Sequence, residues 1–158
     1  MAAEAPAEAG NIMKTFLSQL DHARIERAIA DAEQKTSGEL RVVIHHKPAP
    51  DPVAAARARF EKLRMHRTRE RNAVLLLVAP ESRTFAIYGD TAIHEKCGAA
   101  FWSEVATAIG DHFKQGDFTG GIVHAIDRAG TLLAAHFPRR PDDKNELPNG
   151  IIDDGKII

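Results

Sequence analysis

A chain of 158 residues is long enough to close one hydrophobic core, and 44% apolar with 27% charged residues is the composition of an ordinary globular protein. A formal net charge of −1 excludes a global field that would gather nucleic acid or acidic membranes. The single cysteine, Cys97, excludes an internal disulfide framework, and no apolar run reaches the roughly 20 residues of a membrane helix.

The first eleven residues, MAAEAPAEAGN, lack the basic and apolar stretches of a signal peptide and read as a flexible tail. With the lone cysteine, this gives a cytoplasmic expectation without membrane insertion. Ile12 to Leu20 carries a weak apolar pattern. Asp21 is placed to cap a stronger helix with Ile25, Ile29 and Ala32 on one face, ended by Ser37-Gly38. Glu39 to His46 is a predicted strand, Pro48 to Pro52 a loop, and Val53 to His66 a helix with Phe60 and Leu63 inward.

Val74 to Val78 is an unbroken apolar run, too short for a stable helix. Pro80, Glu81 and Ser82 signal a turn, and Thr84 to Tyr88 is rich in β-branched and aromatic residues, so the pair predicts a hairpin. Thr91 to Gly98 reads as a connection, with Cys97 a plain buried or half-buried thiol. Phe101, Val105, Ile109 and Phe113 form a helical stripe that Gly116 breaks. A last helix runs from Phe118 to Phe137 with Ile122, Ile126, Leu132 and Leu133 inward, and Pro138 stops it. Beyond Arg139 an irregular tail is expected, whose Ile151, Ile152, Ile157 and Ile158 can dock on the body or on another chain.

These elements predict one α/β domain over residues 12–137, between a tail at 1–11 and an irregular segment at 138–158. The Val53–His66 helix links the first two strands as a parallel crossover, and the hairpin returns the third antiparallel. The result is a small mixed sheet, two parallel strands plus an antiparallel hairpin strand, covered by helices on both faces.

That topology gathers candidate chemistry at one edge. A turn centred near Glu81 and Ser82 sets Asn72 opposite Asp90, and the parallel crossover adds Glu39, with Glu70 near by. Glu39, Asn72 and Asp90 offer the oxygen donors that suit Ca²⁺ or Mg²⁺, and Asp90 is the candidate acid or base for holding a water. Purely structural roles fit the same residues: Asp90 as a cap, Asn72 on turn backbone, Glu39 paired with Arg41 or Arg71.

The opposite edge carries His45, His46, Glu81 and Arg83, but adjacent histidines on a strand face opposite ways and cannot chelate together. Arg57 to Arg71 holds seven Lys/Arg against two Glu, yet no interleaved aromatics mark a base-stacking surface, so it reads as a solvated helix face and nucleic acid is not expected as a partner. No GxSxG, P-loop or GxGxxG occurs. Asp117, before FTGG, fills the N-cap of the last helix itself.

The succession SGELRVVI, a helix, MHRTRERNAVLLLVAPESRTFAIYGD, then FWSEVATAIGDHFKQGDFTGGIVHAIDRAG and NELPNGI resembles the TPM domain family, closest to its soluble single-domain bacterial members. The resemblance implies a Rossmann-like α/β/α sandwich. It also implies links with Ca²⁺ binding, with modulation of membrane proteins and, through a plant thylakoid-lumen relative, with acid phosphatase activity. Family members often carry an Asp-Asn-Gly-like start to the second strand, where this chain has Arg71, Asn72 and Ala73.

Two classes of function therefore stand. One is a binding module, either for a divalent cation (Ca²⁺ or Mg²⁺) through Glu39, Asn72 and Asp90 or for an unknown protein partner through the tail, in a monomer or weak homo-oligomer. The alternative is a metal-assisted acid phosphatase, with Asp90 catalytic and Arg71 steadying the phosphate; the sequence leaves open whether the chain is an enzyme.

Overall fold

Residues 73–79 are apolar throughout and residues 39–44 are apolar but for Glu39 and Arg41, and the two runs form the middle of a five-stranded sheet in the computed structural model, which describes residues 6–141, 151–153 and 156–157. β1 (Glu39–Ile44) and β2 (Ala73–Ala79) are parallel, from Glu39 beside Ala73 to Ile44 beside Val78. β3 (Thr84–Gly89) returns antiparallel along β2, with Ala79 opposite Thr84 and Val74 opposite Gly89. On the other side of β1 lie two-residue strands, β4 (Ile152–Asp153) parallel to β1 and β5 (Lys156–Ile157) antiparallel to β4, giving the order β3-β2-β1-β4-β5.

Every residue of β1 and β2 is buried, as befits central strands covered on both faces. Leu40, Val42, Ile44, Val74, Leu76 and Val78 join one core, with apolar positions of α1 (Pro6–Gln19), α2 (His22–Glu33), α4 (Thr91–Lys114) and α5 (Phe118–His136). Val43, Leu75 and Leu77 point to the other face and pack with Ala56 and Phe60 of α3 (Pro52–Lys62) and with Met65. Each such Leu or Ile adds about 1.5–3 kcal/mol of burial. The architecture is the α/β/α sandwich with a mixed sheet that the chain pattern predicts, extended by the two short strands.

Local chemistry sets the helix ends. Asp21 accepts from the Arg24 N–H and starts α2, and Asp51 accepts from the Ala54 N–H and starts α3 with Pro52 in its first turn. α3 stops at Lys62, short of the expected His66. Arg64 takes a left-handed conformation (φ 57°), and Met65–Arg67 closes a 3₁₀ turn instead. α1 begins at Pro6, so the expected tail is helical from there, while residues 1–5 lie outside the described ones. Thr91–Cys97 is helix and not a connection: Asp90 caps it, and Gly98 (φ 71°, ψ −171°) kinks α4 before the chain resumes its turns. Val105 and Ile109 are buried and Phe113 is half-buried on the predicted stripe, while the Phe101 side chain lies outside the described residues. Ile151 and Ile152 are buried against the body, the Ile157 side chain and Ile158 being outside the described residues.

Candidate functional site

The amino ends of β1 and β2 and the carboxyl end of β3 share one edge of the sheet. The Asp90 N–H donates to the Ala73 carbonyl at 3.0 Å, so Asp90 opposes Ala73. The predicted pairing with Asn72 is displaced by one residue, because four residues, Pro80 to Arg83, separate the last paired residues Ala79 and Thr84.

Asp90 and Arg71 are brought together. Arg71 Nε donates to Asp90 Oδ2 at 2.8 Å and Nη2 to Oδ1 at 2.9 Å, a bidentate charge-assisted pair. Oδ1 also accepts the Thr91 N–H at 2.7 Å and so caps α4. The carboxylate is buried at 4% exposure while the Arg71 side chain is 48% exposed, so the cation approaches from solvent. Hydrogen bonding to Asp90 and its charge push the Arg71 guanidinium above its ordinary range. The Arg71 backbone is fixed as well: it is left-handed (φ 54°), its N–H reaches the Thr68 carbonyl, and its carbonyl accepts from Ala92.

Asn72 and Glu39 turn to other partners. Asn72, 1% exposed, donates from Nδ2 to Ser37 Oγ at 3.1 Å, and its buried Oδ1 meets no donor among the described residues. Glu39, 3% exposed, faces Glu33 at the end of α2. Glu33 Oε2 accepts the Leu40 N–H at 2.9 Å. Burial first, then the Glu39 carboxyl, push Glu33 up to about 9, so the pair retains a proton and Glu33 donates to Glu39. Arg41, also buried, supplies the countercharge, and desolvation lowers its pKa. Glu70 lies apart in an ion pair with Arg140 Nη2 at 2.8 Å.

The Glu33–Glu39–Arg41 cluster is the part that reading along the strands misses. Its signal is present all the same: Ile25, Ile29 and Glu33 recur every four residues, which puts a carboxyl on the buried face of α2.

Asp90 and Asn72 supply hard oxygen donors of the kind Ca²⁺ and Mg²⁺ take. Arg71 lies across both Asp90 oxygens, however, so a cation fits there only where Arg71 gives way. Among the described residues no group of three His, Cys, Asp or Glu is placed to hold a metal ion.

At the other end of the sheet, His45 and His46 are half-buried, and the His45 N–H continues the ladder to the Val78 carbonyl at 2.8 Å. Arg83 closes the hairpin turn in a left-handed conformation (φ 54°). Beside it a groove of about 740 Å³ opens between α1, the hairpin and the ends of α4 and α5. Its wall comes from four elements far apart in the chain, so no local motif announces it. Elsewhere, Asp117 caps α5 through the Gly120 N–H at 3.0 Å, and His112 at 3.1 Å, then that N–H, hold its carboxyl below the usual range. Burial raises the Cys97 thiol, as expected of an unreactive half-buried cysteine.

The family model for the TPM domain matches residues 11–132 of the chain. The solution structure of the BA42 protein from the psychrophilic bacterium Bizionia argentinensis is similar at 42% identity and a TM-score of 0.79, covering 85% of this chain and 94% of that one. The N-terminal domain of the cg2496 protein from Corynebacterium glutamicum shares the fold at 22% identity and a TM-score of 0.53, over 69% of this chain and 68% of that one. No curated protein matches the chain.

Proposed function

The chain belongs to the TPM domain family, and from that premise we propose that it is a binding module whose Asp90 carboxylate takes a divalent cation, Ca²⁺ before Mg²⁺, in competition with Arg71. One observation carries this reading: a buried carboxylate, preformed at a helix start, is paired with the half-exposed side chain of Arg71. A cation that displaces Arg71 meets two carboxylate oxygens without reorganising the backbone. Ca²⁺, with its six to eight oxygens and tolerant geometry, fits such a partial site with water completing the shell; Mg²⁺ demands a stricter octahedron. Asn72, whose Oδ1 meets no donor among the described residues, follows Arg71 directly in sequence.

The same pair argues against the hydrolase. Asp90 has both oxygens engaged, and Arg71 is committed to Asp90 and not held open for a phosphate. Nor does the partner reading gain from the tail, since Ile151 and Ile152 are spent on the body. No helix among the described residues is long and apolar enough to cross a membrane.

Calorimetry tests the proposal. Ca²⁺ is expected to bind the wild type weakly, on the order of millimolar as in other low-affinity modules. Arg71→Ala should tighten it about tenfold, and Asp90→Asn, which keeps a capping oxygen, should abolish it. Ca²⁺ binding that ignores both substitutions overturns the assignment. Turnover of a phosphomonoester that is lost in Asp90→Asn would establish the hydrolase instead.

A further inference from the structure

β3 is the last strand on its side of the sheet, and two hydrogen bonds fix the direction of its backbone groups. The Asp90 N–H reaches the Ala73 carbonyl, and the His45 N–H reaches the Val78 carbonyl. Ala73, Leu75, Leu77 and Ala79 of β2 therefore face β3, while Val74, Leu76 and Val78 face β1. By the same alternation Thr84, Ala86 and Tyr88 turn their N–H and carbonyl groups inward to β2, and Phe85, Ile87 and Gly89 turn theirs outward. Gly89 is buried, with the Trp102 ring where its side chain would stand. Phe85 and Ile87 are half-buried, and their outward donors and acceptors meet no partner among the described residues.

Proteins ordinarily guard such a strand with a charge, a proline or a bulge. β3, TFAIYG, carries none of these and pairs residue for residue with β2. The apolar groove of about 740 Å³ lies beside its first residues. Phe85 belongs to both features: its side chain lines the groove, and its backbone lies on the outer side of the strand. Phe113 and Phe118 continue the wall, with ring centroids 5.7 Å apart for Phe85 and Phe113 and 5.5 Å apart for Phe113 and Phe118. Gly110 also lines the groove, with ordinary helical geometry inside α4, where glycine is a poorer helix former than alanine. A Cβ built there meets nothing within 4 Å, so the missing side chain leaves the groove open at the expense of the helix.

The two features point to one class of ligand. Open donors and acceptors on residues two apart, roughly 6.6–6.8 Å along a strand, match the repeat of another extended backbone. A residue paired with Phe85 points to the same face as Phe85, where the groove takes an apolar side chain. A second copy of the chain fits less well, because its Phe85 and Ile87 side chains pack on its own core. We propose that β3 binds an extended peptide segment by strand addition, paired at Phe85 and Ile87, with an apolar side chain of the segment in the groove beside Gly110 and Phe113. The site lies at the opposite end of β3 from Asp90 and stands or falls independently of cation binding there.

Fluorescence anisotropy with the full chain and a labelled peptide of alternating leucine and threonine tests the proposal. The peptide should bind at micromolar concentration. With leucine paired to Phe85, the leucine N–H groups face β3 and the threonine N–H groups face away. Methylating the leucine nitrogens should therefore weaken binding at least tenfold, and methylating the threonine nitrogens should leave it unchanged. Replacing the leucines by aspartate should also cost at least tenfold. Gly110→Leu fills the groove while improving helix propensity, so it should keep or raise the melting temperature and weaken peptide binding at least tenfold. Equal binding of the two methylated peptides overturns the proposal, because the backbone of β3 then takes no part. So does unchanged binding in Gly110→Leu, or no binding of the parent peptide at millimolar concentration. A dimer of the full chain that excess peptide does not dissociate would assign the outer side of β3 to a second copy instead.

Discussion

Glu33 occupies a position that its helix would ordinarily give to an aliphatic side chain. Ile25 and Ile29 precede it on the same face and are fully buried. A carboxyl there is tolerated because it donates to Glu39, accepts from Leu40 and lies near Arg41. The consequence is a pH dependence of definite sign. Glu33 ordinarily titrates at 4.5 and in the fold at about 9. Between those values the folded state binds more protons than the unfolded chain, so stability falls as pH rises from about 4.5 and levels off above about 9. A loss of several kcal/mol across that range is expected, at roughly 1.4 kcal/mol for each pH unit between the two values. Glu33→Gln retains an acceptor for Leu40 and a donor for Glu39 and no longer titrates. Thermal melts from pH 5 to 9 should converge at the acid end and leave the variant more stable at the alkaline end; parallel curves would show that Glu33 does not hold its proton. The site was legible in the sequence to the same limited degree. Glu39, Asn72 and Asp90 share an edge as topology dictates, yet their side chains diverge, because side-chain direction depends on neighbours that strand order does not reveal. Of the residues at that edge, Arg71 and Asp90 meet, in a bidentate pair.

Elements are legible in the sequence wherever one apolar pattern runs without interruption, as in β2, in β3 and in α5 with Asp117 as its cap. They are hidden where a single backbone conformation decides the matter. Arg64, left-handed, ends α3 early, and Gly98 bends α4 without ending it, so the seven residues between Asp90 and Gly98 resembled a connection. Two glycines of α4 now carry opposite predictions. Gly98 lies at φ 71° and ψ −171°, a region essentially reserved to glycine, although nothing lies within 4 Å of a Cβ there. Gly98→Ala should therefore destabilise by about 1–3 kcal/mol through backbone strain alone. Gly110→Ala, with equally open surroundings and helical geometry, should stabilise by about 1 kcal/mol. Urea melts on the two variants decide it; shifts of the same sign would mean that Gly98 does not keep its kink in solution.

At the scale of the whole molecule the sheet is asymmetric. Its β3 side ends on a six-residue strand closed by the hairpin, whereas among the described residues its β1 side is closed by the two residues of β4 and the two of β5. Ile152 nevertheless enters the core around Phe60 and Leu75, and Ile151 enters the core around Ile25 and Leu133. The C-terminal residues thus reach both sides of the sheet from the β1 edge, something composition alone did not show in a segment rich in charge, proline and glycine. Short edge strands are a device for ending a sheet without offering a template to another chain. Removing 142–158 should have two separable effects. Loss of the two buried isoleucines should lower stability by about 4–10 kcal/mol, given 2–5 kcal/mol for truncating one large aliphatic side chain. Exposure of the β1 ladder should also make the shortened chain self-associate. Ile152→Ala separates the two, because it removes apolar volume and leaves the backbone pairing of β4 in place. It should melt earlier by about 2–4 kcal/mol of stability and remain in the same oligomeric state as the full chain. Light scattering beside thermal melts on the two variants reads both effects. A shortened chain with an unaltered melt and hydrodynamic radius would mean that the tail does not seal this edge, and the paired isoleucines would again be available to a partner.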